Sequence, residues 1–81
     1  MRIDKFINTT NLTKRRSIAQ DMLKHGVIFI NDKQAKPSKD VKIGDIIEFK
    51  MLEKTERYKV LKLPSTKSIP KSAQEEYVEQ L

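Results

Sequence analysis

The sequence predicts an α+β domain, with two N-terminal helices packed on a small, mainly antiparallel sheet and a short C-terminal helix after it. Three observations carry this. Apolar residues recur at helical spacing up to Gly26, runs rich in β-branched and aromatic residues follow, and turn signals separate those runs.

Arg2 to Asn8 can form the first helix, with Ile3, Phe6 and Ile7 on one face and Arg2 and Lys5 turned elsewhere. Asn8-Thr9-Thr10-Asn11 reads as a turn, because such side chains bond their own backbone. Leu12 then precedes Thr13, a candidate N-cap, and Gly26 is a candidate C′ residue. Between them a helix of about three turns would bury Ile18, Ala19, Met22 and Leu23. Val27 to Ile30 is a strand, and Asn31-Asp32 is a tight hairpin turn because both residues tolerate positive φ. Lys33 to Lys36 is a short return strand, ended by Pro37. Ser38 to Asp45 is a loop closing in Gly44-Asp45, and strands follow at Ile46 to Met51 and Arg57 to Leu63. Pro64 to Pro70 resembles a linker, and Ser72-Ala73-Gln74-Glu75 is a capping-box pattern opening a last helix with Tyr77, Val78 and Leu81. The division expected is therefore a domain over residues 1–63, with 64–81 a linker and short helix packing back on it.

Charge narrows the function. The 81 residues carry a net charge of +6, and a chain this short has no room for a separate catalytic domain. Residues 1–42 hold ten Lys and Arg against four Asp, whereas residues 43–81 hold seven basic and seven acidic residues. Nucleic acid or an anionic membrane surface are the partners such a charge suggests, and a segregated excess favours a specific RNA or DNA footprint over a diffuse polycation. There is no cysteine and one histidine, so disulfides and thiolate metal sites are excluded. No catalytic constellation, metal or cofactor is expected. No signal peptide or spanning segment is visible, so a soluble, cytoplasmic protein is the expectation.

The first turn of the second helix concentrates the signal. Lys14, Arg15 and Arg16 crowd an end that already carries positive partial charge and free N–H groups. Such an end suits a phosphate, whose oxygens match both guanidinium forks and backbone donors. The plainer reading is a solvated basic end costing a few tenths of a kcal/mol. On a helical wheel Arg16, Gln20 and Lys24 share a face, while Arg15 falls toward the apolar stripe and can bury its stem. Lys33, Lys36 and Lys39 surround the hairpin turn, where they either grip a phosphate backbone or serve solubility. His25 reads as a partner for the last helical carbonyls, Asp45 as a turn residue, and the aromatics mainly as core.

In order and spacing, Arg2-Ile3-Asp4-Lys5-Phe6-Ile7, Leu12, Lys14-Arg15-Arg16-Ser17, Ala19, Gly26, Ile28, Ile30-Asn31, Lys36-Pro37-Ser38, Val41 and Ile43-Gly44-Asp45 resemble the S4 RNA-binding domain, or αL motif. The resemblance spans residues 2–49 and is nearest to the short stand-alone members, the ribosome-associated heat-shock and quality-control proteins. It implies binding to ribosomal RNA and tRNA on a large ribosomal subunit obstructed by peptidyl-tRNA; a monomer that does no catalysis is the expectation. Arg2, Lys14, Arg15 and Arg16 match the family's RNA-facing helices, and Lys5, Lys24, Lys33, Lys36 and Lys39 complete the candidate binding set. Asp32 and Phe29 depart from the pattern, which commonly has glycine and a polar strand residue there. The family pattern turns Ile28 and Ile30 toward the helices, so Val27 and Phe29 lie on the other face; residues 72–81 are expected to cover Phe29, the competing reading being that Phe29 stays open and stacks on RNA. The competing readings are a ribosome-assembly factor and a DNA-binding helix-turn-helix regulator.

Overall fold

The structure, a computed structural model, describes residues 1–13 and 15–81, and of Arg16 the backbone alone. Helix α1 runs Ile3–Thr9 and α2 runs Arg16–Lys24. Strands β1 (Ile28–Ile30), β2 (Lys33–Gln34), β3 (Ile46–Lys50) and β4 (Thr55–Val60) follow. A 3-10 turn (Lys71–Ala73) leads into α3 (Gln74–Tyr77) and β5 (Val78–Gln80). All four strand pairs are antiparallel, in the order β2-β1-β3-β4-β5. The α+β class and its helix-on-sheet layering are as the sequence predicts.

Ile3, Phe6 and Ile7 of α1, with Ala19 and Leu23 of α2, pack on Ile28, Ile30, Ile47, Phe49, Val60 and Val78 of the sheet. The β1 hairpin turns on Asn31 (φ 49°) and Asp32 (φ 69°), both in the left-handed region that the expected turn needs. Asn31 also donates to Asp45 Oδ1 at 3.0 Å and accepts from the Ile46 N–H at 3.0 Å, which ties the hairpin to β3. Asp45 accepts the Lys42 N–H at 2.8 Å, a structural role. Gly26 (φ 71°) ends α2, and His25 Nδ1 donates to the Asp21 carbonyl at 2.7 Å.

Three expectations about α2 are corrected. Thr13 is not the N-cap of α2: its hydroxyl donates to the Arg15 carbonyl, and Arg15, with extended backbone, occupies the cap position without a side-chain bond. Arg15 thus stands outside the helical wheel that would have aimed it at the apolar stripe, and it is exposed. Ile18, at the rim of that stripe, stays 40% exposed.

The largest correction is at the C-terminus. Tyr77, Val78 and Leu81 do not share a helix, because α3 is four residues long and Val78–Gln80 pairs with β4. A single turn is a poor helix on its own, whereas the edge of β4 offers a ladder of unpaired backbone groups. Val78 is buried opposite Val60. With β3 and β4 between β5 and β1, Val78–Gln80 extends the sheet at its far edge, and the C-terminal segment does not cover Phe29. Phe29 is half-buried under Lys50, whose Nζ lies 4.2 Å from the ring centroid.

Candidate nucleic-acid interface

Helix α1 is seven residues long and spends Ile3, Phe6 and Ile7 on the core, so Arg2 and Lys5 must face outward. They line a depression between the two helices together with Asp4, Asn8, Gln20 and Lys67. Asp4 does not simply cancel the positive charge. Its carboxylate accepts Arg2 Nη2 at 3.1 Å and the Lys5 N–H at 2.8 Å, which orients Arg2 along the rim.

The loop after β2 is drawn to the start of α1 by backbone bonds. The Ile3 N–H donates to the Lys39 carbonyl at 2.7 Å, and Arg2 bridges Asp40. The chain's N-terminal ammonium pairs with Asp40 at 2.7 Å. That bond, and the field of the ammonium, hold the Asp40 carboxyl below its usual range, with Lys42 and Lys39 adding to the effect. Folding thereby brings Lys39, distant in sequence, beside Arg2.

Lys33, Lys36 and Lys39 surround one groove next to the hairpin turn. Lys24 and Lys36 border a second, between α2 and the loop that ends β2. Gln20 borders both this second groove and the depression of Arg2 and Lys5, and Lys36 borders both grooves. One exposed surface therefore runs from Arg2 and Lys5 across Gln20 to Lys24, Lys36, Lys33 and Lys39. It can hold a polyanion along its length. Arg15 is exposed at the start of α2, where it takes the cap position without a side-chain cap bond. Lys14 and the side chain of Arg16 lie outside the described residues.

Not every cation contributes to this surface. Lys50 and Arg57 stand on the opposite face of the sheet, where both are paired with Glu48 at 3.5 and 2.6 Å. The Arg57 hydrogen bond holds the Glu48 carboxyl below its usual range, against the opposing effect of burial, and Lys50 adds to the lowering. Sequence reasoning missed Lys67. It lies in the supposed linker and carries no helical or motif signal, so only the tertiary contact of that segment with α1 reveals it.

Residues 1–47 match the sequence profile of the S4 domain. The chain belongs to the S4 domain family. Within the family, this chain is 42% identical over 78 residues to the RQC P-site tRNA stabilizing factor of Helicobacter pylori strain J99, covering 96% of this chain and 93% of that one. It is 41% identical over 66 residues to the factor of the same name from Bacillus subtilis strain 168, covering 82% and 77%. Its fold superposes on the trimeric heat shock protein 15 of Vibrio cholerae with a TM-score of 0.86 at 25% identity, over all of this chain and 81% of that one. A second solved structure, a hypothetical protein determined in solution, gives 0.85 at 40% identity over 100% and 96%. The S4 match includes α1, α2 and the β1–β2 hairpin, and with them every candidate cation identified from the sequence; Lys67 lies beyond it.

Proposed function

We propose that this S4-domain chain binds ribosomal RNA and tRNA together on large ribosomal subunits obstructed by peptidyl-tRNA, and so serves the rescue of stalled translation. The observation that carries the reading is the nearly end-to-end match to factors named for stabilising a P-site tRNA. The cationic surface from Arg2 to Lys39 supplies a mechanism suited to that role. Lysine and arginine would neutralise phosphates over a folded RNA surface, so shape rather than base sequence sets selectivity. Arg2, Lys5, Lys14, Arg15, Arg16, Lys24, Lys33, Lys36 and Lys39 are the residues assigned to this contact. In this reading the chain acts by binding alone, without catalysis, as a monomer in the cytoplasm where ribosomes work.

The test is co-sedimentation of the tagged protein with purified large subunits that carry peptidyl-tRNA, against empty subunits. Preferential retention on obstructed particles, and cryo-microscopy density touching both RNAs, support the reading. Equal binding to empty subunits, or recovery from lysate with DNA or with assembly intermediates, overturns it. Sedimentation equilibrium of the free protein decides the monomer, and a trimer like that of the Vibrio protein would correct it.

A further inference from the structure

Residues 64–70 have the composition of a linker, yet they lie along the C-terminal end of α1 as a strap. Thr9 is 1% exposed, and its hydroxyl donates to the Lys67 carbonyl at 3.2 Å. The Ile69 N–H donates to the Thr9 carbonyl at 3.3 Å, and Asn11 Nδ2 donates to the Ile69 carbonyl at 2.8 Å. Ile69 is 7% exposed, and Gln74 Nε2 beyond it donates to the Thr10 carbonyl at 2.7 Å. Peeling the strap away would leave buried polar groups of α1 without partners, so it is part of the folded surface.

These contacts use the backbone of Lys67 and leave its side chain exposed over the depression lined by Arg2, Lys5, Asn8 and Gln20. Among the described residues no carboxylate pairs with Lys5 or Lys67, and the one acid of the depression, Asp4, is engaged by Arg2 and the Lys5 N–H. Three cations thus converge around neutral amides that donate and accept. Among the described residues the fold uses the Lys67 carbonyl and not its ammonium.

We propose that the strap is a second RNA-binding element of this chain, with Lys67 contacting a phosphate that lies between it, Arg2 and Lys5. The ligand is the phosphodiester backbone of a folded RNA, and the footprint thereby extends past the S4 match at residues 1–47. Naming that RNA as ribosomal rests on the function proposed above; the phosphate contact itself does not.

The experiment measures affinity against salt for the full-length wild type, Lys67→Ala, Lys67→Arg and a remote control, Lys54→Ala. Two probes are used: large subunits carrying peptidyl-tRNA, and a stable RNA hairpin of unrelated sequence. Losing one phosphate contact lowers the log–log salt slope by about 0.7 to 0.9, which is roughly a threefold change in how much affinity is lost between 50 and 200 mM salt. Lys67→Ala should show this reduction and weaker binding at low salt on the probes that wild type binds. Lys67→Arg should restore both, Lys54→Ala should match wild type, and all variants should melt together. A Lys67→Ala slope equal to wild type overturns the strap proposal even where subunit binding is intact. If wild type ignores obstructed subunits but binds the hairpin, the ribosomal reading fails and the hairpin slopes still decide Lys67. Binding to neither probe overturns both.

Discussion

Replacing Val78 by alanine tests the C-terminal architecture most directly. Val78 is 5% exposed and faces Val60, which is 0% exposed, across the β4–β5 ladder. Truncation removes two methyl groups' worth of buried apolar surface without touching a backbone bond. At about 0.8 kcal/mol per buried carbon, with a further contribution for the cavity left behind, the loss is about 2 kcal/mol. For a domain of this size each kcal/mol moves the melting temperature by about 4–8 °C, so Val78→Ala should melt roughly 10 °C lower. Leu81 is the control, because it is 61% exposed beyond the strand. Leu81→Ala should fall within about 0.5 kcal/mol of wild type. A helix presenting Tyr77, Val78 and Leu81 together would make the two substitutions comparable. Urea denaturation followed by circular dichroism gives both values. Equal losses, or a neutral Val78→Ala, would refute the strand assignment. Because β5 is remote from Arg2 and Lys39, RNA affinity per folded molecule should not change in either variant.

Other outcomes follow from single contacts. Asn31→Gly should destabilise by about 1 kcal/mol through the loss of its two hydrogen bonds to the β3 side, whereas Asp32→Gly relieves positive φ and should be neutral or stabilising in denaturant melts. The Glu48 carboxyl is held below its ordinary value in the fold, so its contribution is complete above the unfolded-state value and is lost as pH falls through the folded one. Melting temperature should therefore drop on acidification below about pH 4.5, and Glu48→Gln should be less stable at neutral pH but show a shallower acid drop. Arg2→Ala should weaken RNA binding several-fold in a filter or anisotropy assay, while Lys54→Ala, on the far β3–β4 connection, should leave it unchanged.

Helix α1, the body of α2, the β1 hairpin and the segregation of charge were decided locally, so the sequence alone determined them. Ile3, Phe6 and Ile7 repeat at helical spacing, Asn31 and Asp32 accept left-handed backbone, and the excess of Lys and Arg lies before residue 43. The kinship of residues 1–47 was legible for the same reason, since its residues keep a fixed order and spacing. The fate of residues 64–81 was not local. Ser72 to Glu75 carries a helix-start pattern and does form a turn, but the unpaired edge of β4 captured Val78 and stopped the helix at Tyr77. Buried Thr9 needed an acceptor, and the strap carbonyl at Lys67 supplied it. Neither partner can be read from its own neighbourhood, because each is chosen by polar groups more than a dozen residues away, the β4 backbone and the Thr9 hydroxyl, that would otherwise stay unpaired. The joining of Lys39 to Arg2 and of Lys67 to Lys5 was decided in the same way: sequence supplied the charges, and only tertiary packing made them one surface.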